Sequence, residues 1–224
     1  MNFLLDIFFP KICVGCGKHG EDICNECFRK IKIRKIQQCP HCRKENAEGK
    51  FCSDYCKKDY VFDQLIVCAD YSQIKNLIIK FKYKFSKDLI NVFNKLLEAE
   101  LKSYTKILPG EKMVIPAPIH KRNFKKRGFN QALLLGKAIT QIIPNTKLVD
   151  CLSEKESRGQ QAKLDRSHRL KNLKNSIEIR HHPPLKNILL VDDIVTTGST
   201  LNECSRVLKE AGASHITAIV LARN

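Results

Sequence analysis

The sequence predicts an α/β fold: a mostly parallel twisted sheet with helices on both faces, preceded by a small N-terminal metal-held module. Three observations carry this reading. Eight of the eleven cysteines fall before residue 57, in four close pairs. The run Ile188-Leu-Leu-Val191 is apolar without the alternation of a half-wetted strand, as suits a parallel strand covered on both faces. From Val61 onward, strand-like and helix-like segments alternate along the chain. A chain of 224 residues suffices for one full α/β domain plus an accessory module, with the division expected between residues 1–60 and 61–224.

In the opening segment Asn2-Phe-Leu-Leu-Asp-Ile-Phe-Phe-Pro10, Phe3, Leu4, Ile7 and Phe8 stand at helical spacing and Pro10 stops the run. It is expected to pack on the accessory module, with docking on a membrane surface as the alternative. Cys13-Val-Gly-Cys16 and Cys39-Pro-His-Cys42 have the CxxC form of a zinc knuckle. Cys24-Asn-Glu-Cys27 and Cys52-Ser-Asp-Tyr-Cys56 open short basic, helix-like segments. Knuckle followed by helix is a treble-clef-like arrangement, and four thiolates form a closed tetrahedral site with no open position for catalysis. Two structural zinc ions are therefore expected. Sequential pairing puts Cys13, Cys16, Cys24 and Cys27 on one and Cys39, Cys42, Cys52 and Cys56 on the other; an interleaved cross-brace is the alternative. His19 and His41 lie close in sequence, but complete four-thiolate sites leave them no vacancy. A sixty-residue segment with so few large aliphatics needs metal to fold. The isolated Cys68, Cys151 and Cys204 are expected as buried thiols.

Residues 65–71 read as a strand, and Ile74, Leu77, Ile78 and Phe81 mark one face of the helix that follows. A second helix is expected from Leu89 to Lys102. Met113-Val-Ile-Pro-Ala-Pro118 reads as a short buried strand closed by prolines. Asn130 caps a helix running to Ile143. Between these two lies the basic loop Lys121-Arg-Asn-Phe-Lys-Lys-Arg-Gly-Phe-Asn-Gln131, in which five cations surround two phenylalanines. A second polar, basic segment, Arg158 to Asn172, suits a loop that closes over a ligand. The final strand is expected at 215–221.

After Val191 come Asp192, Asp193 and then Thr196, Thr197, Gly198, Ser199 and Thr200, ahead of a helical pattern that begins near Leu201. Ligands of open α/β sheets bind beyond the carboxyl ends of the strands. A hydroxyl-rich turn leading into a helix offers unpaired N–H groups and the positive end of the helix dipole to a phosphate. Two carboxylates beside that phosphate repel an anion unless they meet sugar hydroxyls or a cation such as Mg²⁺, and a phosphorylated sugar satisfies both demands. The turn resembles the phosphoribosyl pyrophosphate motif of type I phosphoribosyltransferases. That resemblance implies that the two acids hold ribose hydroxyls and the turn holds the 5′-phosphate.

The formal net charge is +17, from 40 Lys and Arg against 23 Asp and Glu. Residues 121–182 carry a net +10, whereas residues 183–224 are neutral overall. Such a basic face attracts polyanions, and cations interleaved with Phe124 and Phe129 suit single-stranded nucleic acid, in which phosphates are tracked and bases stack. Arg122, Lys125, Lys126, Arg127, Arg158, Arg166 and Arg169 are the candidates for DNA or pyrophosphate contact. Phe129 is read instead as a core anchor. The scattered lysines, Lys82 among them, are read as solvated surface. No run is long and apolar enough to span a membrane, and no secretory signal precedes the first module, so a cytoplasmic protein is expected. No G-x-x-x-x-G-K-[ST] loop occurs, which argues against an ATP-driven motor.

Over nearly its whole length the chain resembles the ComF family of competence proteins. The likeness rests on the cysteine module, the Ile74–Lys87 stretch with its Lys-Tyr-Lys core, Pro116-Ala-Pro118 leading to Arg127-Gly-Phe-Asn-Gln131, and residues 188–200. The resemblance implies a type I phosphoribosyltransferase-like domain behind a zinc finger. It also implies participation in natural transformation, handling incoming single-stranded DNA on the cytoplasmic side of the inner membrane beside other competence proteins. The alternative is an active phosphoribosyltransferase acting on a nitrogenous base.

Overall fold

The computed structural model describes residues 11–34, 36–83, 87–102, 104, 112–155, 176–181 and 186–224. Two short helices, α1 (Asn25–Arg29) and α2 (Asp54–Lys57), belong to the cysteine modules. They are followed by β1 (Gln64–Asp70), α3 (Tyr71–Tyr83), α4 (Lys87–Leu101) and β2 (Lys112–Pro116). Next come α5 (Lys121–Arg127), α6 (Gln131–Ile142), β3 (Thr146–Leu148), β4 (Leu152–Glu154) and β5 (Ile177–Ile179). The chain closes with β6 (Asn187–Val195), α7 (Ser199–Glu210) and β7 (His215–Arg223). The opening apolar segment, Asn2 to Pro10, and the second basic segment, with Arg158, Arg166 and Arg169, lie outside the described residues.

Five strands form a wholly parallel sheet in the order β1-β7-β6-β2-β3, and β4 pairs antiparallel with β5 alongside it. Both faces of the sheet are covered, which is why β1 and β7 read as continuous apolar runs. On one face Ile74, Leu77, Ile78 and Phe81 of α3, the buried side of α4, and Leu135 and Ile139 of α6 pack against Leu189, Val191 and Ile219. On the other face Leu201, Cys204 and Leu208 of α7 pack against Ile188, Leu190 and Ala218, together with Leu152 and Ile177 of the β4–β5 pair. Cys68, Cys151 and Cys204 are fully buried thiols, as expected. Phe129 packs against the first core with its ring centroid 5.8 Å from that of Phe81, so it is an anchor.

Two expectations change. The basic run after Pro118 is not a loop but helix α5, capped by His120 Nδ1 accepting from Arg122 N and ended by Gly128 at φ +77°. Nor does the last-but-one strand stop before the acids, because β6 continues through Asp192 and Asp193 to Val195 beside β7. Its other neighbour, β2, ends at Pro116 opposite Val191, and Ala117 N donates to Val191 O at 2.8 Å. The acids thus lie in a strand that has lost its partner on one side.

The cysteine modules cover the free edge of β1, where unpaired backbone groups would otherwise invite another strand. Arg34 N donates to Cys68 O and Leu65 N to Gly49 O. Between them the buried Gln37 side chain imitates a strand: its Nε2 donates to Val67 O at 3.0 Å and its Oε1 accepts from Val67 N at 2.9 Å. The same Nε2 donates to Glu100 Oε1 at 2.7 Å.

Candidate functional site

The structure gathers the paired cysteines by module. In the first, a tight turn flanked by the Ile12–His19 bridge presents Cys13 and Cys16, while Cys24 sits at the N-cap of α1 and Cys27 within it. The four sulfur atoms lie within 4.8 Å of one another. In the second, the turn flanked by the Gln38–Glu45 bridge presents Cys39 and Cys42, and Cys56 lies in α2, whose cap Ser53 accepts from Cys56 N. Cys39, Cys42 and Cys56 cluster within the same limit, and Cys52 Sγ is 3.8 Å from Cys42 Sγ. A tetrahedral site with Zn–S of about 2.3 Å puts its sulfurs about 3.8 Å apart, so both sets fit zinc. The arrangement is sequential rather than interleaved. Burial pushes the Cys13 thiol upward, but N–H groups of Cys24, Gly15 and Cys16 hold the thiolate and bring it to about 6. Cys39 behaves alike. Among the described residues neither His19 nor His41 joins these clusters; His41 instead faces the rings of Tyr55 and Tyr60.

The second site follows from topology. From β2 the chain turns toward β3, whereas from β6 it turns the other way to β7. Beyond the carboxyl ends of neighbours whose connections diverge, a crevice opens, and here it is a cleft of about 430 Å³. Asp192, Asp193, Thr196 and Thr200 line it, and Arg127 reaches it from the end of α5. Thr197, Gly198 and Ser199 do not. Thr197 Oγ1 and Ser199 Oγ instead share a hydrogen bond at 2.7 Å, and Gly198 takes φ +78° as the cap of α7. Arg122, Lys125 and Lys126 stand on the solvated side of α5, outside the cleft, with Phe124 48 % exposed among them.

Three cleft residues escaped sequence reasoning. Lys82 Nζ lies 3.2 Å from Asp193 Oδ2 with both side chains largely covered. A signal existed, because Lys82 continues the buried stripe Ile74–Ile78 at a spacing of four and so shares its helix face. Glu154 comes in from β4, its carboxyl raised by burial and drawn back by His120, whose Nε2 is 3.7 Å away. Asn224 lies beside Val195, to whose carbonyl its N–H donates at 3.0 Å. Asp192 stands at about 7, pushed up by burial and by the charge of Asp193. The N–H of Asp193, then Lys82 and Arg127, oppose that rise. The cleft therefore sets Asp192 and Asp193 beside two cations, Lys82 and Arg127.

Two domain families match the chain. Residues 4–73 match the double zinc ribbon domain, and residues 131–224 match the phosphoribosyl transferase domain. The chain is 28 % identical to Competence protein F of Haemophilus influenzae, over 96 % of this chain and 98 % of that one. It is also 28 % identical to Competence protein ComFC of Streptococcus pneumoniae, covering 90 % of this chain and 87 % of the relative. DNA utilization protein YhgH of Escherichia coli O157:H7 is 26 % identical over 96 % of this chain and 97 % of its own. With a double zinc ribbon joined to a type I phosphoribosyltransferase-like sheet, the chain is similar over nearly its full length to competence proteins of the ComF type.

Proposed function

We propose that this protein handles single-stranded DNA during natural transformation, and that its cleft is a pocket for phosphoribosyl pyrophosphate or a related sugar phosphate. The observation that carries the proposal is the adjacency of two surfaces on one short element. Helix α5 turns Arg127 into the cleft while Arg122, Phe124, Lys125 and Lys126 face solvent. Exposed cations beside an exposed ring suit a single strand, whose phosphates pair with the cations and whose bases stack on the ring. The relatives' names point the same way. The protein would work in the cytoplasm, and no helix among the described residues is long and apolar enough to cross a membrane. Partner proteins would belong to the competence machinery, with peripheral contact to the inner membrane.

In the pocket, Asp192 and Asp193 would accept hydrogen bonds from ribose hydroxyls, and the turn from Thr196 to Thr200 would hold the 5′-phosphate through N–H and hydroxyl donors. Lys82 and Arg127 would face the pyrophosphate. Mg²⁺ is held by one or two carboxylates plus substrate phosphates, which these acids would supply. One zinc ion per ribbon, held by Cys13, Cys16, Cys24 and Cys27 and by Cys39, Cys42, Cys52 and Cys56, completes the set; their role is structural.

A second reading, an active transferase, is favoured by the two cations beside the acid pair. Lys82 and Arg127 would stabilise charge gathering on departing pyrophosphate as a nitrogen nucleophile attacks the anomeric carbon. The divided geometry of α5 separates the readings. Arg122, Lys125 and Lys126 changed together to Ala should weaken binding of labelled single-stranded DNA and flatten the slope of log affinity against log salt by about 2, while phosphoribosyl pyrophosphate binding holds. Arg127→Ala should do the reverse. Unchanged DNA binding in the triple variant refutes the DNA interface. Pyrophosphate release with one base, together with negligible DNA affinity, makes the transferase reading primary.

A further inference from the structure

The phosphate turn is anchored outside its own domain. Asn202, in the first turn of α7, donates from Nδ2 to Asp59 O at 2.6 Å, and its Oδ1 accepts from Val61 N at 2.8 Å. One side chain thus grips both polarities of the backbone leaving the second ribbon. Asn202 N itself donates to Gly198 O at 2.8 Å, closing the first bond of the helix that the turn initiates. Gly198 sits against the same segment: a Cβ built there would lie 3.6 Å from Tyr60 Cε1. The Tyr60 ring packs at centroid distances of 5.2 Å on Phe51, 5.4 Å on Phe62 and 6.1 Å on His41. Phe51 and His41 are chain neighbours of Cys52 and Cys42, so the cluster rests on the second ribbon's turn and helix.

A second route ties the same ribbon to the cleft floor. Arg223, at the end of β7, donates to Cys39 O and Pro40 O in the knuckle. Arg43 Nη2 donates to Asn224 O at 3.5 Å, and Asn224 lines the cleft. The first ribbon packs elsewhere. Its Ile23, Phe28 and Ile31 meet the core of α3 and α4, and its Asp22 pairs with Lys80 of α3 at 2.8 Å.

We propose that Asn202 is a positioning residue through which the second ribbon sets the conformation of the 196–200 turn, so that 5′-phosphate binding depends on the metal held by Cys39, Cys42, Cys52 and Cys56. The ligand rests on the pocket reading above; the coupling does not. A donor array binds phosphate well only if it is held before the ligand arrives, since ordering it afterwards is subtracted from affinity. Without the two Asn202 hydrogen bonds, the first turn of α7 keeps only its own weak end bonds and frays.

The test uses the full chain with its zinc. Hydrogen–deuterium exchange of the 202–204 amides, the first that α7 pairs, beginning with Asn202 N on Gly198 O, is followed alongside calorimetric titration with ribose 5-phosphate and with inorganic pyrophosphate. Asn202→Ala should keep its zinc, speed exchange of the 202–204 amides and weaken ribose 5-phosphate about tenfold, the equivalent of one hydrogen bond. Pyrophosphate, which faces Lys82 and Arg127, should bind as before. Asn202→Asp, which retains the acceptor for Val61 N, should fall between. Cys42→Ser should reproduce the faster exchange at 202–204, whereas Cys16→Ser in the first ribbon should leave these amides protected. Unchanged exchange in Asn202→Ala overturns the proposal, and equal exposure in the two cysteine variants overturns its assignment to the second ribbon. A parent protein that binds no ribose 5-phosphate refutes the pocket reading alone, because exchange still decides the coupling.

Discussion

Asp192→Asn should stabilise the empty protein at neutral pH while weakening its hold on a sugar phosphate. The carboxyl stands at about 7 in the folded chain, against an ordinary value of 3.8, because burial and the neighbouring Asp193 disfavour its charge. The folded chain therefore binds this proton more tightly than the unfolded chain, so stability falls as pH rises from 3.8 toward 7 and then levels. At about 1.4 kcal/mol per pKa unit the ceiling is roughly 4 kcal/mol, and water entering the open cleft reduces this to about 2 kcal/mol. Asparagine removes the ionisation but keeps the carbonyl oxygen that accepts from Asp193 N at 2.8 Å. For a chain of this size about 2 kcal/mol corresponds to roughly 4–8 °C in Tm. Melting curves of parent and variant between pH 5 and 8.5 should diverge up to about pH 7 and run parallel above it. Calorimetry with ribose 5-phosphate should show affinity lost in the variant at every pH. A Tm difference independent of pH, or a variant less stable than its parent at pH 8, refutes the reasoning.

Two further predictions concern the joints of the fold. Gln37→Leu strips Val67 N and Val67 O of their partners on the covered edge of β1 and leaves Glu100 without its amide donor. Two buried backbone groups at about 1–3 kcal/mol each make a loss of roughly 2–6 kcal/mol, measurable as a shifted urea midpoint; a loss below about 1 kcal/mol would mean that water replaces Gln37 there. Gly198→Ala places a side chain at φ +78° and should cost about 1–2 kcal/mol of stability while weakening ribose 5-phosphate, read by melting and calorimetry; unchanged binding would remove the turn from the site.

Much of this was written in residue type and spacing. Four apolar residues without alternation require cover on both faces wherever they are placed, and the structure covers Ile188 to Val191 so. The stripe Ile74, Leu77, Ile78 and Phe81 could belong only to a helix, and those four are its buried residues. Asn130 caps α6 through its side chain as read. Lys82 was misread because a lysine in a mixed segment has no local signature of burial, and its charge became significant only when α3 crossed beneath Asp193. Glu154, likewise, matters because the pairing of β4 with β5 holds it at the cleft near His120.

Taken alone, the sequence determined that the chain would have cysteine sets fit for zinc, a parallel sheet, and acids beside a hydroxyl-rich turn. These are local consequences of ligand spacing, period and turn chemistry, which a few consecutive residues impose on themselves. Tertiary structure alone decided that β2 stops opposite Val191 and so bares the acids, that Lys82 and Arg127 meet them from different helices, and that Asn202 joins the turn to the second ribbon. The physical reason is separation along the chain. A contact between residues 59 and 202, or 82 and 193, exists only once the sheet order brings their elements together, and no local pattern encodes that order.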